Sequence, residues 1–156
     1  MSAESGLHEH GAGSCCTDRQ GARGECAGAV FDDGEPVRTA PTLAGVAPQA
    51  GEPVVSTRAN KFTGTNLEEL LKQKKAETLV IVGSAANGAV MYTSFHANTR
   101  GFTVVVAEDG ISSPAPINTV LARYQLLNQP GFINAANTPL ADKKVTLSRG
   151  DLITFR

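Results

Sequence analysis

Apolar and polar positions divide this chain into two unequal parts. Up to residue 52 the longest apolar run is Ala29-Val30-Phe31, and nine of the sixteen glycines fall there, among Ala, Pro, Glu and Ser. That composition buries too little apolar surface to offset the entropy of ordering the chain, so residues 1–52 read as an irregular or disordered segment. From residue 53 onward, short apolar runs alternate with stretches of helical period. "PVVS" (53–56) reads as a short strand and "TNLEELLKQKKAE" (65–77) as a helix, with Thr65 as cap, Glu68 completing a capping box and Leu67, Leu70 and Leu71 on one face. "TLVIVG" (78–83) has the continuous apolar run of a strand buried on both faces. "GAVMYTSFHANTRG" (88–101) reads as a helix closed by Arg100 and Gly101, and "FTVVVAEDG" (102–110) as a second buried strand. "PAPINTVLARYQLLNQ" (114–129) reads as a helix with proline in its first turn. "KVTLSRGDLITF" (144–155) fits either a strand pair turning at Arg149-Gly150 or one strand with an irregular end.

Strand, helix, strand, helix implies a mainly parallel sheet with helices on its faces, a three-layer α/β/α domain over 53–156. Leu79–Val82 and Phe102–Val106 should be adjacent, parallel and fully buried. Ligands in such folds bind beyond the carboxyl ends of the strands. Three segments end there: Ser84–Gly88, Glu108–Ser113 and the loop after Val55 that carries Lys61.

The turn from Gly83 to Gly88 draws most interest. It joins an apolar strand to a helix start, where unpaired backbone N–H groups and the helix dipole favour an anion or a developing oxyanion. A nucleophile would be well placed at residue 89, yet that residue is alanine. Ser84 is the nearest hydroxyl and has no base beside it in sequence. A tight turn that needs its glycines is the competing reading.

Charge and cysteine content narrow the picture. A net charge of -1 gives no electrostatic footprint for nucleic acid or an acidic membrane. No apolar run approaches the roughly 20 residues of a membrane span, and the N-terminus lacks the basic start and apolar core of a secretory signal. Three cysteines, Cys15, Cys16 and Cys26, do not make a disulfide framework, and a reducing cytoplasm is the expected compartment. His8, His10 and these cysteines lack the ordered pair spacing of a zinc site, so neither metal nor cofactor is expected. His96, Arg123 and Tyr124 sit in helical patterns and read as packing or surface groups. Asp109 is a ligand candidate whose competing role is to accept hydrogen bonds from local backbone.

Three segments, "KFTGTNLEELL", "TLVIVGSAANGAV" and "TRGFTVVVAEDGISS", together resemble the isochorismatase-like cysteine hydrolases, which include nicotinamidases and related amidases. They resemble, in order, that family's Phe-x-x-Thr-x-Leu helix start, its nucleophile turn, and its Gly-aromatic strand ending in Asp. The resemblance implies an Asp–Lys–Cys triad in which a thiolate attacks an amide carbonyl, Asp serves as base, Lys assists, and backbone N–H groups hold the oxyanion. In isochorismatases proper the Cys is replaced and a vinyl ether is cleaved. Carried over position by position, the Cys falls on Ala89 and the Lys on Ser56. The Asp has only Asp18, Asp32 or Asp33 as candidates, with "GAVFDD" a faint strand ending in acid. The N-terminal part of the fold is therefore read as missing or divergent, the alternatives being a strand supplied by a partner or by the N-terminal segment.

Two functions follow. The first is a relative without cysteine-hydrolase catalysis that binds a small carbonyl or carboxylate ligand or acts in a homo-oligomer. The second is a hydrolase of small amides, esters or vinyl ethers with a non-standard site, so the resemblance leaves enzymatic activity undecided. The ligand-binding candidates are Lys61, Ser84, Ala85, Ala86, Asn87, Gly88, Ala89 and Asp109.

Overall fold

The computed structural model describes residues 30–32, 48 and 50–155. Among these residues, five strands and three helices run in the order β1 (Val30–Asp32), β2 (Val54–Ser56), α1 (Leu67–Gln73), β3 (Thr78–Ser84), α2 (Met91–Thr99), β4 (Thr103–Ser112), α3 (Pro116–Leu127) and β5 (Val145–Ser148). A single-turn π-helix, Ala86–Val90, leads into α2, and a 3-10 turn, Gly150–Leu152, follows β5. Every described strand pair is parallel: β3-β4-β5 form one sheet and β1-β2 another. This is the mainly parallel α/β fold that the alternating pattern predicts; the reading of the N-terminal part as missing or divergent falls largely outside the described residues.

β4 lies between β3 and β5, and residues 102–107 are buried without interruption. Val104, Val106, Val145, Leu126 and Ala122 form the centre of the core. Each fully buried Val or Leu side chain contributes about 1.5–3 kcal/mol. β3 departs from expectation. It is adjacent and parallel to β4, but Leu79–Val82 are only half-buried. Among the described residues β3 has a hydrogen-bonded neighbour on one edge only, so it is an edge strand and its side chains keep part of their surface.

The helices are shorter than their sequence patterns. α1 begins at Leu67, not at Thr65, and Glu68 makes no capping box. Thr65 still serves the helix start, because its Oγ1 accepts from the Leu67 N–H at 3.3 Å while donating to the Lys61 carbonyl at 2.6 Å. Glu68 instead accepts from Lys72 Nζ at 2.6 Å and from Arg100 Nε at 2.9 Å. The Arg100 guanidinium also lies 4.8 Å from the centre of the Phe62 ring, which stacks on Phe102 at 6.2 Å. This knot pins the loop before α1 to the end of α2. α2 stops as its sequence suggests. Gly101 takes φ +89°, its N–H reaches the Asn98 carbonyl and the Phe102 N–H reaches Ala97, which is the Schellman pattern.

Beyond β4 the last segment resolves into a single strand with an irregular end. Asn137 covers the outer edge of β5 by using its side chain as a strand would, accepting from the Leu147 N–H at 2.8 Å and donating to the Leu147 carbonyl at 2.9 Å. Buried Asn134 donates to the carbonyls of Thr138 and Val145 and accepts from the Thr138 N–H. An edge satisfied in this way is closed to further strands.

Candidate functional site

β3, β4 and the π-helical turn meet at the carboxyl end of the larger sheet. The β3–β4 register slips there: Ile81 pairs with Val106, whereas Gly83 pairs with Ile111. Gly110 fits the bulge because a Cβ on it would stand 2.9 Å from the Val82 side chain. Gly83 takes φ +129°, a conformation that favours glycine, and the Ser84–Ala85 peptide is cis. Ala85 is extended, and the helical turn then starts at the fully buried Ala86.

The turn's hydrogen bonds define its chemistry. The N–H groups of Gly88 and Val90 both reach the Ala85 carbonyl, at 3.0 and 3.3 Å. The Ala86 N–H donates to Ser113 Oγ at 3.1 Å, and Ser113 donates in turn to Asn87 Oδ1 at 3.0 Å. Among the described residues the Asn87 N–H, in the first turn of the helix, donates to nothing outside the helix. Backbone donors at a helix entrance suit a carbonyl or carboxylate oxygen.

The predicted site residues are only partly assembled. Ser84 ends β3 and is exposed, Asn87 is exposed, and Gly88 and Ala89 are half-buried in the turn. Lys61 is buried, and its Nζ donates to the Thr57 carbonyl at 2.9 Å. Its backbone N–H donates to Thr93 Oγ1 at 3.3 Å, and Thr93 lies in α2, one turn beyond Ala89 of the π-helical turn that leads into it. Asp109 lies within the irregular half of β4, and its Oδ1 accepts from the Gly150 N–H at 2.8 Å, so the carboxylate serves local backbone. Ser56 ends β2, with Asp32 opposite it across the β1–β2 pair.

Arg123 donates to the Glu108 carbonyl at 2.6 Å, and His96 Nδ1 lies 3.1 Å from Arg100 Nη1. Both are structural contacts, and Tyr124 is exposed. Asp18, Asp33, His8, His10, Cys15, Cys16 and Cys26 lie outside the described residues. Among the described residues no group of three His, Cys, Asp or Glu side chains could hold a metal, and no helix is long and apolar enough to cross a membrane. Sequence reasoning passed over Ser113 and Thr93. Ser113 does fall in a segment assigned to the ligand edge, but no local pattern pairs it with residues 26 and 27 positions earlier.

The model of the isochorismatase domain family matches residues 15–131. The chain belongs to the isochorismatase domain family. The match includes residues 15–52, which composition alone assigns to the irregular segment. An N-carbamoylsarcosine amidase of an Arthrobacter species is 31% identical over 94 residues, covering 60% of this chain and 36% of the relative. A secreted isochorismatase effector of Verticillium dahliae is 37% identical over 65 residues, covering 41% and 34%. The solved isochorismatase-like hydrolase from Alkaliphilus metalliredigens superposes with a TM-score of 0.59 at 21% identity, over 70% of this chain and 53% of that one. This isochorismatase-family chain thus spans about a third of the length of those two curated relatives and about half of that structure. At 21% identity the structural likeness is one of fold.

Proposed function

We propose that this isochorismatase-family domain binds a small carbonyl or carboxylate ligand at the turn from Gly83 to Gly88 without cysteine-hydrolase catalysis. One observation carries the reading. The turn opens a helix whose first-turn backbone N–H groups, that of Asn87 among them, face the carboxyl end of the sheet, while the side chain at residue 89 is the methyl group of alanine. Oxyanion-type stabilisation without an attacking group binds but does not convert. Ser84 and Asn87 flank the ligand in this reading, with Ala85, Ala86 and Gly88 shaping the turn. Lys61 and Asp109 are peripheral, since each has a protein partner.

The competing reading is a hydrolase of small amides, esters or vinyl ethers that uses groups other than a cysteine. The same helix-entrance N–H groups support it, as does similarity to a relative named as an amidase. Two measurements separate the readings. Nicotinate, a small carboxylate, should shift the backbone amide resonances of Asn87 and Ala89, while ammonia release from nicotinamide should stay at background. Robust turnover by the unmodified chain, abolished by Lys61→Ala or Asp109→Ala, would establish the hydrolase instead. An absence of shifts at Asn87 and Ala89 across a panel of small carboxylates and amides would remove the binding reading.

A further inference from the structure

Gly88 is not explained by the fold around it. It sits inside the π-helical turn Ala86–Val90 and, unlike Gly83, does not take a positive φ. A Cβ built on it would meet only the Ala85 Cβ, at 3.7 Å, an ordinary contact. Alanine would therefore fit there, and it is the better helix former. What glycine changes is the chemistry of the residue before it. Asn87 is exposed, and it is the only asparagine in the chain followed by glycine.

We infer that Asn87-Gly88 is a self-modification site, at which the Asn87 side-chain amide is lost and a carboxylate takes its place. The reaction needs only water. The Gly88 backbone nitrogen attacks Asn87 Cγ, its proton leaves with the side-chain amide group as ammonia, and a five-membered succinimide closes. Water then opens the ring. Cleavage of the bond from that nitrogen to Cγ gives aspartate. Cleavage of its bond to the Asn87 backbone carbonyl carbon gives isoaspartate, in which the main chain runs through Cβ and Cγ. A side chain at residue 88 obstructs the ring closure, and glycine has none.

The structure acts on both reacting groups. Ser113 donates its hydroxyl to Asn87 Oδ1 at 3.0 Å, which polarises Cγ and stabilises the oxyanion formed on attack. The nucleophile is withheld, because the Gly88 N–H is bound to the Ala85 carbonyl at 3.0 Å within the helical turn. Attack therefore waits for the turn to open, and helix ends open more readily than helix centres. The consequence for binding rests on the ligand reading proposed above. A carboxylate at residue 87 repels a carboxylate ligand, and isoaspartate lengthens the main chain inside the turn, so conversion switches binding off.

The test is peptide mass mapping of the full chain during incubation in mildly alkaline buffer, with fragmentation that separates aspartate from isoaspartate. Asn66 is the internal comparison: it too is exposed and stands at a helix start, but leucine follows it. Asn87 should convert about tenfold faster than Asn66 or more, to both products, and Gly88→Ala should slow that conversion by a similar factor with unchanged circular dichroism. An Asn87 that survives as long as Asn66 would overturn the proposal, as would conversion at the unmodified rate in Gly88→Ala. Nicotinate titration of fresh and converted chain reads the consequence separately. A fresh chain that does not respond would remove the ligand reading while the mass map still decides the modification. A converted chain that responds as the fresh one does would overturn the switching role.

Discussion

Ser113 donates its hydroxyl proton to Asn87 Oδ1 at 3.0 Å, binding the end of β4 to the turn after β3. Ser113 Oγ also accepts from the N–H of Ala86, a residue with no exposed surface. One hydroxyl therefore satisfies a buried backbone donor and orients an exposed side chain beside the proposed ligand position. Ser113→Ala removes both contacts. Leaving a buried donor unsatisfied costs about 1–3 kcal/mol, so urea denaturation should show a loss of that order. Nicotinate binding should weaken in parallel as Asn87 loses its anchor. An unchanged midpoint would mean that water replaces the hydroxyl.

Asp109 offers the converse case, a carboxylate near the ligand edge that is bound to the protein itself. Gly150 donates to it, and a Cβ at 150 would stand 3.4 Å from its Oδ1. Asp109→Ala should lower stability by about 1.5–3 kcal/mol, the range for a hydrogen bond to a charged group, discounted toward the low end by its exposure. It should leave nicotinate affinity unchanged. Affinity that fell while stability held would return Asp109 to the site.

Glu68 couples acidity to the fold. Its carboxyl lies below its ordinary value of 4.5, first because of the hydrogen bond from Lys72, with the one from Arg100 adding to it against an opposing cost of desolvation. A lowered folded value means that the unfolded chain binds the proton more readily. The contribution is complete above the ordinary carboxylate range and is lost as pH falls through that range toward the folded value. Glu68→Gln should flatten this part of the stability-against-pH curve and leave its neutral-to-alkaline part unchanged in shape. A wild-type profile as flat as the variant's would show that solvent screens both pairs fully.

The parts of the fold legible in the sequence are those where local pattern and tertiary environment agree. The run from Phe102 to Val106 reads as a buried strand and is one, because β3 and β5 flank it and helices cover it. Thr78–Gly83 carries the same signal, but the number of neighbours a strand acquires is not written in the strand. The capping box at Thr65 does not form. Glu68 has stronger partners in Lys72 and in Arg100, 32 positions away, and no helical period reveals that pairing. The turn is legible through Gly83 and Gly88 and through the absence of chemistry at Ala89. Ser113 is not, since a serine before a proline is ordinary loop composition until β4 carries it beside Asn87.

Ala89→Cys tests how much of a catalytic site remains around the turn. A thiol there would sit at a helix entrance, where the dipole and nearby N–H groups favour the thiolate. The introduced thiol should therefore be alkylated by iodoacetamide faster than an unperturbed one, as followed by peptide mass mapping that separates it from Cys15, Cys16 and Cys26. Turnover is a separate requirement. The position that the family resemblance assigns to lysine is Ser56, and the buried Lys61 ammonium is directed at the Thr57 carbonyl at 2.9 Å. The carboxylate of Asp109 is bound to Gly150, so neither group is disposed to take a proton from the thiol or to give one to a leaving amine. General acid–base assistance accounts for about 10²–10⁴ in rate, and a reactive thiol does not replace it. We therefore expect fast alkylation with nicotinamide hydrolysis still at background. Adding Ser56→Lys to Ala89→Cys should raise turnover only if an acid is also in place. Hydrolysis by the single variant would show that a working base already stands beside residue 89, and the domain would then be a hydrolase lacking only its nucleophile.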